Sequence, residues 1–336
     1  MAITLTRPIL GTVGAVLALG LVACGGQPSG STGETESGGG PEASEPQALV
    51  AGVIPVTDIG PVYMAQQNGL FEENGFDLTL QKAGSSTEII QAMQSGQVQI
   101  GYGGTTGVFQ AVEGGVDLVI IAAASSTPED PDQGINDLLV TADSPLRSAK
   151  DLEGKKVAVN APGGYTQLLA DIAIKADGGD PKKVQYVQMA VPDQPAALES
   201  GAIDSFVAGE PFGTLGREEK GFGTLANPFE HLSDHAVVAG VWYALRSEVE
   251  ANPETYAKAA ETIDAANTYA LENDEELREN IAEFTGIDPT LAERIRLGTY
   301  GKYPLTVENL EPIADWSLEL GYIKNEVDFD ELIWEP

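Results

Sequence analysis

From Leu49 onward the chain alternates short apolar runs with stretches of helical spacing, and this rhythm restricts it to an α/β architecture with largely parallel strands. Strands are predicted at 49–54, 77–81, 98–102, 116–123, 138–141, 156–160, 184–188, 205–208 and 236–245. Helices fit between most of them, at 60–68, 87–94, 106–113, 165–176 and 193–200. Beyond Arg246 only helices follow, at 253–271, 274–284, 289–297 and 307–320. Asn252-Pro253, Asp288-Pro289 and Thr306 mark their starts, pairing a capping side chain with Pro in the first turn or Glu two residues on. The folded length exceeds what one core usually holds, so two lobes are expected. Crossovers are predicted at 141–149, where Ser144-Pro145 falls, and at 233–241, where a long apolar run returns the chain to the first lobe. Two crossovers make a hinge that absorbs dihedral change while the lobes stay rigid.

Residues 1–23 carry one basic residue, Arg7, then an apolar core from Ile9 to Val22 that is short for a membrane span and has the layout of a secretory signal. Leu21-Val22-Ala23-Cys24 ends it with the only cysteine of the chain, and resembles the lipobox of bacterial lipoproteins, which implies lipidation of Cys24. Residues 24–47, rich in Gly, Ser, Pro, Glu and Thr, read as a flexible linker. The expected division is therefore signal 1–23, tether 24–47, lobe 1 from 48–144 plus 238–336, and lobe 2 from 145–237. A formal charge of −33 argues against nucleic acid as a partner, because phosphate backbones are held by Lys and Arg.

In such sheets ligands bind beyond the carboxyl ends of the strands. Four loops there combine glycine with hydroxyls: Pro55 to Tyr63, Gly84 to Thr87, Gly103 to Thr106, and Ala161 to Thr166. Glycine admits a ligand close to the backbone, and helix N-termini offer N–H donors without a basic side chain. The Gly101 to Gly107 run lacks GxGxxG spacing, and no GxxxxGK[ST] loop occurs.

Longer phrases resemble one family. Pro61-Val62-Tyr63-Met64-Ala65 with Asn68-Gly69-Leu70-Phe71 through Leu80, Gln91 through Gly101, Asp151-Leu152-Glu153-Gly154-Lys155-Lys156-Val157-Ala158, Ala197 through Phe206, Glu210-Pro211, and Ala314-Asp315-Trp316 with Gly321-Tyr322-Ile323 are similar to the solute-binding proteins of ABC importers for nitrate, sulfonates, taurine and thiamine precursors, the NMT1/THI5-like family. The likeness spans about 49–332. It implies a type II periplasmic-binding-protein fold, two α/β lobes joined by a two-strand hinge with a C-terminal helical wrap. It further implies a monomer held outside the cytoplasm through the lipid on Cys24, partnered by a membrane permease, with no cofactor and no metal. Carried across, it places Asp58, Tyr63, Ser85, Ser86, Gly104, Thr105 and Thr106 at the ligand from lobe 1, and Gly164, Tyr165, Thr166, Glu210 and Phe212 from lobe 2. Trp242, on the returning strand, either lines the cleft or packs the hinge.

These loops contain no Lys or Arg, whereas Asp58 and Glu210 are acidic, so a polyanion, nitrate or bicarbonate is poorly matched. A sulfonate such as taurine remains open, and a nitrogen heterocycle such as a pyrimidine precursor suits the carboxylates better. The alternative is a secreted enzyme on the same fold, a hydrolase or a pyrimidine-synthesising relative. It would need a nucleophile with a base in reach, and neither a Ser-His nor a Cys-His set can be assembled from the cleft loops. His231 and His235, four apart beside Glu230 and Asp234, would share a metal only on a continuous helix.

Overall fold

The computed structural model describes residues 46–128, 130 and 133–336; the expected signal peptide, Cys24 and nearly all of the linker lie outside the described residues. The strands are β1 (Gln47–Val53), β2 (Phe76–Lys82), β3 (Ile100–Gly104), β4 (Leu118–Ser126), β5 (Asn136–Val140), β6 (Lys156–Val159), β7 (Gln185–Gln188), β8 (Ser205–Gly209), β9 (Gly223–Ala226) and β10 (Val238–Leu245). The helices are α1 (Gly60–Gln67), α2 (Leu70–Glu73), α3 (Ser86–Gln94), α4 (Thr105–Glu113), α5 (Tyr165–Ala176), α6 (Gln194–Glu199), α7 (Phe212–Thr214), α8 (Phe229–Leu232), α9 (Arg246–Ala251), α10 (Pro253–Glu272), α11 (Asp274–Thr285), α12 (Pro289–Ala292), α13 (Val307–Glu319) and α14 (Phe329–Leu332).

Among the described residues the strands form two five-stranded sheets, ordered β2-β1-β3-β10-β4 and β7-β6-β8-β5-β9. In the first, β1 runs parallel to β2 and β3, while β10 is antiparallel to β3 and β4. In the second, β6 is parallel to β7 and β8, and β5 is antiparallel to β8. Every residue of β4 is buried, as are all but the last of β10, which is why both read as unbroken apolar runs: helices cover both faces of the sheet. Each sheet with its helices forms a lobe, and the architecture is the type II periplasmic-binding-protein fold. Helix α10 wraps the first lobe, burying Tyr256, Ala259, Ile263, Ala266 and Ala270 at helical spacing.

The chain leaves the first sheet after Ser126 and returns to it at Val238. At the crossing the two passages lie side by side: Thr127 N–H donates to the Val237 carbonyl at 2.9 Å, and Val237 N–H donates to Thr127 Oγ1 at 3.0 Å.

Several boundaries differ from expectation. Gln47, expected in the linker, opens β1 opposite Phe76. The first crossover lies between β4 and β5, at 127–135, not at 141–149, because β5 pairs with β8 and β9 in the second sheet. An apolar strand carries no mark of the sheet it joins, and Ser144-Pro145 turns the chain within lobe 2 toward the capping box of Ser148 and Asp151. Strand β9, three half-buried residues and one exposed at a sheet edge, has no pattern to betray it. The helix expected at 289–297 stops at Ala292, since the Arg278 guanidinium takes the carbonyls of Ala292 (3.0 Å) and Ile295 (2.8 Å) that a longer helix would use. Arg296 is thereby released toward the second lobe.

The C-terminal region also ties the lobes together. Tyr322 donates its hydroxyl to Asp171 on α5 at 2.6 Å, Tyr186 donates to the same carboxylate, and Lys175 pairs with Glu319 at 2.6 Å. Burial raises the pKa of Asp171, and the two phenols oppose it. Replacing Tyr322 by Phe is expected to cost about 1–2 kcal/mol, a fall of a few degrees in melting temperature. An unchanged melting temperature would show that the tie carries no stability.

Candidate functional site

Between the lobes, beyond the carboxyl ends of the strands, lies a cavity of about 380 Å³. Lobe 1 contributes Thr57 and Asp58 after β1, Tyr102 and Gly104 at the end of β3, and Ser125 at the end of β4. Thr87, Ile90, Gln91 and Gln94 line it as one face of α3, and Gly107 and Gln110 as one face of α4. Lobe 2 contributes Asn136, Asn160, Gly164, Tyr165, Thr166, Gly209 and Glu210. Asp58 and Glu210 are the only charged residues in this wall; among the described residues no Lys, Arg or His joins them.

Two of the contacts between the lobes flank the cavity closely. Thr57 N–H donates to the Glu210 carbonyl at 3.1 Å. Gly104 lies against Tyr165 so closely that a Cβ on it would stand 2.6 Å from the Tyr165 Cβ. Only glycine permits that approach.

Asp58 sits on a short 3₁₀ turn, Thr57–Ile59, immediately before α1. Its carboxylate accepts hydrogen bonds from the Ser125 and Tyr102 hydroxyls. A Cβ on Gly240 would fall 2.7 Å from Ser125 Oγ and 3.0 Å from the Tyr102 ring, so this glycine on β10 makes room for both donors. Burial raises the Asp58 pKa, and the two hydroxyls pull it back only in part. Tyr102, Tyr165 and Tyr300 are all pushed upward, first by burial and then by the Asp58 charge. The Tyr165 hydroxyl is buried and has no hydrogen-bond partner.

Glu210 has a different environment. Only 2 % exposed, it accepts from Thr214 N–H and Thr214 Oγ1, both at 3.0 Å, and pairs with Arg217. Arg217 also reaches Asp137 at 3.0 Å, and Arg296 meets the same Asp137 oxygen at 3.0 Å. Two carboxylates and two guanidiniums alternate in a charge-balanced chain, Glu210–Arg217–Asp137–Arg296, so the Glu210 charge is already met within the protein. Burial still raises its pKa, opposed first by Arg217.

Of the residues expected at the ligand, Asp58, Ser86, Gly104, Gly164, Tyr165, Thr166 and Glu210 line the cavity. The others lie behind or beside it. Tyr63 packs on Phe284 of α11 with ring centroids 5.1 Å apart. Ser85 is fully buried and its hydroxyl accepts from Glu88 N–H as the N-cap of α3. Thr105 turns its hydroxyl to the Ala239 carbonyl, at 3.5 Å. Thr106 is wholly buried, its hydroxyl without a partner. Phe212 is buried at the start of α7. Trp242, with no exposed surface, packs against Tyr102 at 5.8 Å between rings and so braces the site from behind. Capping consumes the Ser85 hydroxyl, and the Thr105 hydroxyl is taken by a backbone carbonyl instead. Sequence reasoning missed Tyr102, Ser125, Asn136 and the glutamines of α3 and α4. Tyr102 ends a predicted strand, a position that marks it; Ser125 falls two residues past the predicted end of another, and the glutamines carry no such signal. The two histidines do not share a helix face, since α8 ends at Leu232 and Ser233 is extended. Among the described residues no group of three or more His, Cys, Asp and Glu is placed to hold a metal.

A family model described as NMT1/THI5 like matches residues 56–277, well over half of the chain. The taurine-binding periplasmic protein of Escherichia coli (strain K12) is 29 % identical over 248 residues, covering 72 % of this chain and 73 % of that one. Among solved structures, the alkanesulfonate-binding protein SsuA from Xanthomonas axonopodis pv. citri, bound to MOPS, superposes with a TM-score of 0.70 at 18 % identity, covering 87 % of this chain and 99 % of the other. The desulfurization enzyme DSZB superposes less well, with a TM-score of 0.58 at 16 % identity over 85 % of this chain and 95 % of that one. The fold therefore serves binding proteins and an enzyme alike.

Proposed function

The chain belongs to the NMT1/THI5-like family, and from that premise we propose that it is the extracytoplasmic substrate-binding component of an ABC importer, capturing a small organic solute between its lobes and delivering it to a membrane permease. One observation carries this: the cavity draws its wall from both lobes, so a solute inside favours the closed arrangement through contacts that an open one lacks. The size of the cavity suits a small solute. Its two carboxylates and lack of cationic side chains disfavour nitrate, sulfate and phosphate, and leave aminosulfonates such as taurine and nitrogen heterocycles such as a thiamine-precursor pyrimidine as the matching classes. The ligand-touching set in this proposal is Asp58, Ser86, Gly104, Gly164, Tyr165, Thr166 and Tyr102, with Glu210 contributing its backbone carbonyl to the lobe contact.

Binding is favoured over catalysis because, among the described residues, the cavity wall holds no His, Cys or Lys to form a nucleophile–base pair, and Glu210 is occupied by Arg217 and Thr214. Turnover of a captured solute by the purified protein would reverse that choice. A thermal-shift panel of sulfonates, pyrimidines, flavins and small inorganic anions tests the solute class. The expected result is stabilisation by one organic class and none by nitrate or sulfate; stabilisation by an inorganic anion alone would contradict the proposal. The tether belongs to the same proposal: lipid on Cys24 would hold the receptor near its permease, with the intervening residues acting as a leash. Cys24→Ser is expected to move the protein from the membrane to the soluble fraction, and retention in the membrane would remove the lipid from the proposal.

A further inference from the structure

We propose that Asp58 is the anchor for a positively charged nitrogen, so that the solute of this cavity is an organic cation or zwitterion whose protonated nitrogen sits between the Asp58 carboxylate and the Tyr165 phenol. The inference rests on the solute-binding role proposed above and deepens it.

The two carboxylates of the cavity wall are not equivalent. Glu210 is neutralised inside the protein by Arg217 and capped by Thr214. Asp58 has only neutral donors, the hydroxyls of Ser125 and Tyr102. The ionisable groups facing it are the phenols of Tyr102 on β3, Tyr165 on α5 and Tyr300 beyond α12, and none of them supplies a positive charge. A carboxylate placed in a cavity without a counter-charge is costly until an opposite charge enters beside it. The Tyr165 hydroxyl gives the second, independent sign. Tyr165 lines the same cavity from the other lobe and its hydroxyl is buried without a partner, so a donor group brought by a solute within its reach would satisfy it and bridge the lobes at once. Phenol faces add cation–π attraction. The rest of the wall, with Gln91, Gln94, Gln110, Asn136 and Asn160, presents amides that both donate and accept, and accommodates a neutral or an anionic remainder.

Burial holds the Asp58 pKa above the ordinary 3.8 in the solute-free protein, and the sign of two effects follows. A carboxyl raised on folding contributes stability below its unfolded pKa and loses it as pH rises through the folded pKa. At neutral pH Asp58 is therefore a cost to the empty protein, and Asp58→Asn should raise its melting temperature by about 1–3 °C. Binding runs the other way: affinity for a cation is complete above the Asp58 pKa and falls as pH drops through it.

The test uses the full chain and its Asp58→Asn variant, each incubated with a small-molecule extract of bacterial cells and passed through native mass spectrometry. The expected result is one adduct on the parent chain whose mass identifies a compound with a protonatable nitrogen. Calorimetry with that compound should then show binding weakened roughly 10- to 100-fold by Asp58→Asn. The variant's melting temperature reports that it is folded. A captured compound without a basic nitrogen, or equal affinity in a folded Asp58→Asn, would overturn the inference while leaving the solute-binding role in place. No adduct from any extract would instead contradict the binding role itself, and the inference with it.

Discussion

Replacing Arg217 by methionine is expected to destabilise the protein by about 3–5 kcal/mol, a fall of roughly 10 °C in melting temperature. The guanidinium is shared by Glu210 and Asp137, which are 2 % and 3 % exposed, and methionine keeps most of its packing while leaving Glu210 buried and unpaired. Asp137 retains Arg296, so the loss falls mainly on Glu210. A second substitution in the same chain, Glu210→Gln, removes the stranded charge and should return part of the loss. Thermal and urea denaturation of both variants measure this. If Arg217→Met unfolds within a degree of the parent, the buried chain of charges contributes nothing and the contrast drawn between Glu210 and Asp58 fails with it.

The largest effect on function is expected from Gly104→Ala. The added methyl carbon would stand 2.6 Å from the Tyr165 Cβ, a distance that packed carbons do not adopt, and the groups it meets belong to the other lobe. Moving the lobes apart relieves the clash, so the melting temperature of the solute-free protein should fall far less than its affinity for solute. Only the closed form is penalised, by about 3 kcal/mol, and solute affinity should fall by roughly 100-fold or more. Calorimetry with any compound shown to bind the parent chain reads this directly. Undiminished affinity would mean that the solute is held without the lobes meeting at this point.

The two predictions differ in how far they could be foreseen. Gly104 and Tyr165 stand in loops that the sequence marks, each at the start of a helix after a strand, where glycine and hydroxyls collect. That one meets the other across the cleft is a matter of lobe geometry, and no local pattern records it. Arg217 was invisible for a similar reason: it lies on an irregular turn after α7, and its partners are 7 and 80 residues away. Asp58 stood out as a charge in an otherwise small and neutral loop. Its helper Tyr102 ends a predicted strand, and Ser125 belongs to a strand that runs three residues further than its apolar pattern predicts. Trp242 shows the converse limit, since its strand position fitted lining and packing equally, and the unbroken burial of β10 places it behind the wall. Strands β1, β3 and β4 were legible as largely covered apolar runs, and β2 by its alternation of buried and exposed residues. The assignment of β5 to the second sheet was not, because pairing partners leave no trace in a single strand.

Capture between two closing lobes is tested most directly by small-angle X-ray scattering of the full chain, before and after addition of a compound that raises its melting temperature. Closure predicts that the radius of gyration falls on addition and levels off at one compound per chain, and that Gly104→Ala abolishes the fall. A scattering curve unchanged by a compound that demonstrably binds would contradict it.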